Sequence, residues 1–212
     1  MRMALCIVSL LAVAAASPQL LVPDIKPALA DNFQLFAHAH PRPKSTFDRS
    51  IESWEVAAEP RGCCNCPQSL ILSKPPSNGT SAATSFYFNP DSISVQSGPP
   101  KAPRGVVLSR EKNRWALQLV PGKHGTSNLG VALKSDGPRL DYQRGRFYAC
   151  ETSEHSDSVV DLFWRHDSEA LAPWCIDVFL YAAPTDGPSH GPSSAVAACM
   201  DVRDGICIFP VS

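Results

Sequence analysis

Charged residues and glycines are both scarce in this sequence, and after the N-terminus long apolar runs are absent. Of the 212 residues, 18% are charged and 12 are glycine, whereas 44% are hydrophobic. A chain with this much apolar material can bury a core, which argues against global disorder. After residue 16 no stretch approaches the roughly 20 apolar residues that a membrane-spanning helix needs, so we expect no membrane insertion.

The sequence also lacks the common catalytic signatures. It contains no G-x-S-x-G nucleophile elbow, no H-E-x-x-H metal motif, no phosphate-binding loop and no dinucleotide-binding glycine pattern. We therefore expect a protein that is not an enzyme and carries no cofactor. Residues 17–212 hold 18 basic and 20 acidic side chains. This slight acidity argues against nucleic acid and anionic lipid as partners, because both require a basic face.

The first 16 residues have the composition of a secretory signal peptide. Arg2 supplies the positive charge, residues 4–14 are apolar apart from Ser9, and small residues follow at Ala14 and Ala16. We expect cleavage after Ala16, although a second small-residue site exists at Ala30. The mature protein is then predicted to be secreted, either extracellular or bound to the cell wall.

Short segments rich in β-branched and aromatic residues recur along the chain between Pro, Gly, Ser and Asp. Residues 115–119 alternate apolar with polar side chains, which is typical of a strand with one buried face, and residues 111–114 look like a hairpin turn. About ten such segments predict an all-β fold, an antiparallel sandwich or barrel of short strands. A short helical piece is allowed at residues 168–171.

Proline-rich segments divide the chain. The 20 prolines force many loops, because proline cannot donate to a sheet ladder. We predict a signal peptide (1–16), an N-terminal extension (17–30), one β domain (31–183), and a linker with a short irregular tail that contains a disulfide (184–212).

Cysteines define a predicted disulfide framework. Cys6 leaves with the signal peptide, and seven cysteines remain, so one of them is free, capped or joined to a second chain. Two pairings are favoured: Cys150 with Cys175, which end and begin two strand-like runs, and Cys199 with Cys207, which flank a turn at residues 204–205. The first closes the longer loop and should stabilise the fold by about 3–4 kcal/mol, the second by about 2–3 kcal/mol.

The remaining cysteines, Cys63, Cys64 and Cys66, form a cluster whose pairing stays open. Cys63 and Cys66 have the C-x-x-C spacing of a redox motif, but no helix pattern follows them, and no second ligand pair favours zinc. We interpret the cluster as a disulfide knot in a loop. Asn78 begins an Asn-Gly-Thr sequon in a Pro/Ser-rich loop and is predicted to carry a glycan.

Two groups of polar residues are weak site candidates. His38 and His40 would point to the same face of a strand and could share a metal, but a histidine-brace copper site needs a histidine as the first mature residue, and a solvated strand face is the simpler interpretation. The acidic run contains Glu151, Glu154, Asp157 and Asp161. It could serve glycoside hydrolysis or bind calcium, yet it lacks the glycine-spaced calcium-loop pattern, and a solvated loop is expected. We therefore predict no metal site and no catalytic residue.

Four tryptophans could supply a sugar-stacking surface. Trp115 and Trp164 lie in strand patterns and are expected in the core, and Trp174 precedes Cys175 and is expected to pack on its disulfide. The fourth is Trp54.

The order of several short motifs resembles a group of small secreted fungal proteins without known activity, an uncharacterised extracellular domain family related in pattern to phialide-type cell wall proteins. The motifs are Phe33-Gln34-Leu35, Phe86-Tyr87-Phe88-Asn89, Phe147-Tyr148-Ala149-Cys150, Val160-Asp161-Leu162-Phe163-Trp164 and Pro173-Trp174-Cys175-Ile176-Asp177-Val178-Phe179-Leu180.

The resemblance covers roughly residues 31–183. It implies an all-β fold, supports the Cys150–Cys175 bridge and supplies no catalytic residue. The Cys63–Cys66 cluster and the tail with Cys199 and Cys207 depart from the group's pattern. We expect a non-enzymatic extracellular protein, wall-associated or effector-like, whose partner is cell-wall polysaccharide or an extracellular protein. The alternative is a carbohydrate-binding or carbohydrate-active protein. A monomer is expected unless the odd cysteine crosslinks two chains.

Overall fold

The computed structural model shows an all-β protein, as the alternating segments predict. It describes residues 28–40, 45–59, 66–77, 83–89, 92–95, 103–151, 157–188, 196–204 and 206–208. Within these ranges there are sixteen strands and no helix: β1 (Ala28–Ala30), β2 (Phe33–His40), β3 (Glu55–Ala58), β4 (Gln68–Ser73), β5 (Tyr87–Asn89), β6 (Ser92–Val95), β7 (Arg104–Glu111), β8 (Arg114–Pro121), β9 (Gly130–Lys134), β10 (Gly137–Asp141), β11 (Gly145–Cys150), β12 (Val159–His166), β13 (Cys175–Pro184), β14 (Val196–Ala198), β15 (Asp201–Arg203) and β16 (Ile206–Ile208).

Six strands close into a ring. The order is β2, β3, β4, β12, β11 and β13, after which β13 pairs again with β2, and each of these pairings is antiparallel. A ring of hydrogen-bonded strands leaves none of its members with a free edge. The sequence predicts either a sandwich or a barrel, and a closed ring of strands corresponds to the barrel.

The interior of the ring is filled by every second side chain of its strands. In β2, Phe33, Leu35, Ala37 and Ala39 are buried, while the residues between them are more exposed. This is the period of two expected for strands with one face on the core. Full burial of one Leu or Phe side chain contributes roughly 1.5–3 kcal/mol. The other ring strands supply Val56, Leu70, Leu72, Phe147, Ala149, Val160, Leu162, Trp164, Ile176, Val178, Leu180 and Ala182.

Two groups of strands extend from the ring. Strands β5 to β8 form a meander that joins the ring through β8, which pairs with both β4 and β12. The predicted turn at residues 111–114 is confirmed: Lys112 and Asn113 have φ of 42° and 72°, as a two-residue hairpin of type I′ requires. Strands β9 and β10 form a second hairpin beside β13.

The chain on both sides of the predicted β domain also contributes strands. Strand β1 belongs to the predicted extension and β14 to the predicted irregular tail, yet the two pair with each other over three residues. Strands β15 and β16 form a further hairpin in the tail. Strands of three residues carry too little alternation to be recognised in the sequence, so the β1–β14 pair was not predicted, whereas the β15–β16 hairpin is the one that the predicted Cys199–Cys207 bridge closes. Residues 168–171, where a short helical piece was allowed, form a turn in which Glu169 N donates to His166 O at 3.0 Å.

Both favoured disulfides are confirmed. Cys150 and Cys175 lie opposite each other on β11 and β13, with their Cα atoms 4.2 Å apart. Cys199 and Cys207 join the two sides of the tail hairpin, and Cys199 N donates to Ala182 O on β13 at 2.7 Å. The first bridge therefore crosslinks the ring and the second closes the tail hairpin, which the hydrogen bond from Cys199 to Ala182 ties to β13. In the part of the chain given above, no helix has the length and apolarity needed to span a bilayer.

Candidate functional site

Two carboxyl side chains meet at the end of the ring where β11 ends and β12 and β13 begin. Glu151 follows the last residue of β11, and Asp48 lies in the segment before β3. That segment is held against the ring: Ile51 is fully buried in the core, and Thr46 N donates to Pro173 O, just before β13, at 2.8 Å. Packing of one loop on the strand ends thus brings together acids that are distant in sequence.

Arg49 links the carboxylates at this end of the ring. Its Nε lies 3.4 Å from Glu151 Oε1, and its Nη2 lies 3.4 Å from Asp157 Oδ1. A third guanidinium nitrogen, Nη1, donates to Val159 O at 3.2 Å. Glu151 Oε1 is itself buried and accepts no hydrogen bond from the described residues, so Arg49 acts on it by charge alone. Arg49 thus bridges the partly buried Glu151 and the exposed Asp157, and Glu151 in turn contacts the exposed Asp48.

Burial raises the pKa of the Glu151 carboxyl above its ordinary value of 4.5, and a hydrogen bond to Asp48 together with the Asp48 charge raises it further. The Arg49 guanidinium opposes this shift. Two carboxyls in hydrogen-bond contact favour a state in which one is protonated and the other charged. Glu151 therefore holds its proton to a higher pH than an ordinary glutamate does.

The spacing of this carboxyl pair does not suit glycoside hydrolysis. The two acids of a retaining glycosidase are about 5–5.5 Å apart, and those of an inverting enzyme are farther apart, so that a sugar or water fits between them. Asp48 and Glu151 share a hydrogen bond instead. The pair can hold a proton or accept hydrogen bonds from a ligand, but it leaves no room for a reacting bond between its two members.

Of the four candidate tryptophans, Trp174 presents the largest exposed side chain. It is 49% exposed, and its carbonyl oxygen accepts from Glu151 N at 3.4 Å. The contact of Trp174 with the Cys150–Cys175 disulfide stays a prediction. Trp164 is buried in the core, as expected, with Trp115 half-buried against it in an edge-to-face contact. Trp54 is buried as well.

The two histidines lie where the sequence places them, on the outer face of β2. His38 Nδ1 donates to Glu52 Oε2 at 2.8 Å, and Glu52 Oε1 accepts from Ala39 N at 3.1 Å. Both imidazole rings contact Phe179 on β13, with ring-centroid distances of 6.4 Å for His38 and 5.4 Å for His40. Within the described ranges no group of three or more His, Cys, Asp or Glu side chains forms a ready metal cage.

A cation and a carboxylate flank this histidine face. The Arg139 guanidinium lies 4.1 Å from the Phe179 ring centroid. Asp136 Oδ2 accepts from Arg139 Nη1 at 2.7 Å and from the Tyr181 hydroxyl at 3.0 Å. Burial, together with Asp136, raises the pKa of Tyr181 to about 12, so its hydroxyl keeps its proton as a donor.

Several predicted positions are not brought into either site. Asp161 lies on β12, where it pairs with Cys150 on β11. Cys66 is disulfide-bonded. Cys63, Cys64, Asn78 and Glu154 lie outside the described residues, so the cysteine knot, the glycan and part of the acidic run stay predictions.

The residues that sequence reasoning missed are Asp48, Arg49 and Glu52. They lie between β2 and β3, in a segment whose apolar residues follow neither the strand nor the helix periodicity. Arg49 contacts partners that are 108 and 110 residues away in sequence. No local signal marks them. The segment does contain two apolar residues, Phe47 and Ile51, which predict that it is anchored by apolar side chains.

No family model, curated protein or solved structure matches this chain. The class of protein is therefore defined by its own architecture: an all-β domain built on a closed ring of six strands and crosslinked by disulfides.

Proposed function

We propose that this chain is a secreted, non-enzymatic extracellular protein, associated with the cell wall or acting on a neighbouring organism. The observation that carries the proposal is the disulfide framework, in which Cys150–Cys175 and Cys199–Cys207 both close within the folded domain. Structural disulfides of this kind belong to oxidising compartments, because the cytosol keeps thiols reduced. The signal-peptide pattern of residues 1–16 and the resemblance to small fungal extracellular proteins support the same proposal.

The test is expression of the full chain in a secreting host. We expect the protein in the medium with Ser17 as its first residue, both disulfides formed and a glycan on Asn78. A variant without residues 2–16 serves as the control and should stay inside the cell. Retention of the intact chain in the cytosol, with reduced Cys150 and Cys175, would contradict the proposal.

A second candidate function is carbohydrate binding at the end of the ring. The observation that favours it is the half-exposed Trp174, whose carbonyl accepts from the backbone of Glu151 beside the Asp48 carboxyl. An exposed indole stacks on the apolar face of a sugar ring, while carboxyl groups accept its hydroxyl hydrogens. Cell-wall polysaccharide is then the partner.

Carbohydrate binding is tested with a glycan array and insoluble wall polysaccharides. Trp174→Ala should abolish binding and Glu151→Gln should weaken it. Met200→Ala removes a side chain of similar exposure (51%) in the tail and should leave binding unchanged. Equal binding by the parent protein and Trp174→Ala would contradict this function. Turnover of any polysaccharide that is lost in Glu151→Gln or Glu154→Gln would overturn the non-enzymatic proposal.

A further inference from the structure

We propose that His38 and His40 form a binding site for a late first-row divalent metal ion, Cu²⁺ or Zn²⁺, on the outer face of β2. The two residues are separated by one position, so their side chains leave the strand on the same side, about 6.6 Å apart along it. Imidazole nitrogens coordinate such ions at about 2.0–2.1 Å, and two side chains at this spacing can converge on one ion.

The hydrogen bond to Glu52 prepares His38 as a ligand. A charged carboxylate only accepts hydrogen bonds, so the 2.8 Å contact between Glu52 Oε2 and His38 Nδ1 assigns the ring proton to Nδ1. The lone pair is then on Nε2, the nitrogen that faces away from Glu52. Histidines that bind metal usually donate their other ring nitrogen to a carboxylate in this way, which fixes the tautomer and raises the basicity of the ligand.

Glu52 is itself held rigidly in place. Its second carboxylate oxygen accepts from Ala39 N, between the two histidines. The turn that carries it is tied to β2 by two backbone bonds, from Ser53 N to Ala37 O and from Ala37 N to Trp54 O, both 2.8 Å. Its neighbour Ile51 is fully buried. The Glu52 carboxylate is thus held in position by the fold in the metal-free protein.

The surroundings limit how the two rings move. Phe179 lies opposite His38 in the β2–β13 pairing and touches both imidazole rings. The positive charge of Arg139, which lies against Phe179, is balanced by Asp136 at 2.7 Å. Among the described residues, the Glu52 carboxylate contacts His38 directly, and its negative charge attracts a cation.

Two protein nitrogens leave the remaining coordination positions open. Water, or a donor atom from a partner, would complete a tetragonal Cu²⁺ site or a tetrahedral Zn²⁺ site. Such a site binds Cu²⁺ more tightly than Zn²⁺, because affinity for nitrogen ligands peaks at copper. It does not require the carbohydrate surface at Trp174 and does not rest on the proposed function.

The test uses the purified protein without a polyhistidine tag. We expect one Cu²⁺ per chain, with an electron paramagnetic resonance spectrum that shows two equatorial nitrogens, and release of the ion by EDTA. His40→Gln and His38→Gln should each remove one nitrogen from the spectrum and weaken binding at least tenfold. His166→Gln changes an exposed histidine on β12 and should leave both affinity and spectrum unchanged.

Glu52→Gln tests whether Glu52 acts by orienting His38 and fixing its tautomer or only by filling space beside it. The side chain keeps its size, but its amide donates to Nδ1 and favours the tautomer with the proton on Nε2, so affinity should fall about 10–100-fold. The free energy of unfolding of the metal-free variant, compared with that of the metal-free parent, shows whether the substitution also destabilises the fold. His40 is exposed, so His40→Gln tests the site without disturbing the fold. Unchanged Cu²⁺ affinity in both His38→Gln and His40→Gln, or a parent spectrum with a single nitrogen, would overturn the proposal.

Discussion

Arg165 and Asp177 form a buried ion pair on the outer face of the ring, where β12 and β13 flank β11. Arg165 Nη2 lies 2.9 Å from Asp177 Oδ2, and Nε donates to Oδ1 of the same carboxylate at 3.1 Å. Both side chains are less than a tenth exposed. Arg146 approaches the same carboxylate at 3.9 Å. The outer face of the ring therefore contains a charged, water-shielded centre of its own.

Loss of one partner should destabilise the fold strongly. Arg165→Met leaves the Asp177 carboxylate buried with only the more distant Arg146 as a partner, and such changes cost about 3–5 kcal/mol. The free energy of unfolding in urea measures the effect. The matched control is Arg203→Met, which breaks an exposed pair with Asp201 and should cost less than about 1 kcal/mol. Equal losses in the two variants would show that the pair at Asp177 has no special role.

The Cys150–Cys175 crosslink should dominate the disulfide contribution to stability. Cys150→Ala removes a bridge that spans 25 residues and should cost about 2–5 kcal/mol. The double variant with Cys175→Ala should cost little more, because both changes remove one bond. Non-reducing peptide mapping checks the pairing. Recovery of Cys150 joined to Cys63, Cys64 or Cys66 would contradict the assignment.

The mature protein should contain one cysteine outside the intramolecular pairs, at position 63 or 64. Four cysteines pair among themselves and Cys66 is also disulfide-bonded. With Cys6 removed in the proposed signal peptide, only Cys63 and Cys64 would be left as partners for Cys66. Alkylation of the unfolded, unreduced protein followed by mass spectrometry should label one of these two positions. A disulfide-linked dimer, seen on non-reducing gels, is the form expected if that residue joins two chains. Labelling of Cys199 or Cys207 would contradict this accounting.

Glu151→Gln should stabilise the protein at neutral pH. Because the folded pKa of Glu151 lies above its ordinary value of 4.5, folding favours the protonated carboxyl. That contribution is complete below pH 4.5 and is lost as the pH rises through the folded pKa, so at pH 7 the charged side chain opposes folding. Glutamine resembles the protonated form and should raise the midpoint of unfolding at pH 7.

The pH dependence distinguishes this effect from packing. The difference between Glu151→Gln and the parent protein should vanish below about pH 4, where the parent carboxyl is protonated in both states. Glu169→Gln makes the same change at an exposed glutamate and serves as the matched control. A constant difference between pH 3 and pH 7 would contradict the predicted protonation.

Strands with clear alternation were predictable from the sequence, and so were the disulfides that flank them. Residues 33–40 and 175–184 alternate or form β-rich apolar runs, and the turn at residues 111–114 contains Asn113, which tolerates positive φ. The cysteines at the ends of β11 and β13 followed from the same pattern. Each of these features depends on residues that are close together in the sequence, which is why it could be predicted.

The candidate sites were predictable only in part. Glu151 and Trp174 were candidates, but their partner Asp48 was not, because the contact depends on how residues 45–51 pack against the ends of β12 and β13. Similarly, the pair His38 and His40 was visible as a motif, whereas Glu52 was not. A contact between segments that are distant in sequence produces no pattern of apolar and polar residues in either segment, so it cannot be predicted from the sequence alone.

Closure of the ring has a consequence for how the chain is made. Strand β2, near the N-terminus, reaches its second neighbour only when β13 pairs with it, over residues 33–40 and 177–184. During vectorial synthesis most of the polypeptide is therefore complete before the first long strand loses its open edge. Folds dominated by such distant pairings form slowly, and their unfinished edges attract other chains. A nascent chain arrested before residue 175 lacks the strand that seals the ring, and the yield of this protein should depend on how well β2 is shielded from other chains during that interval.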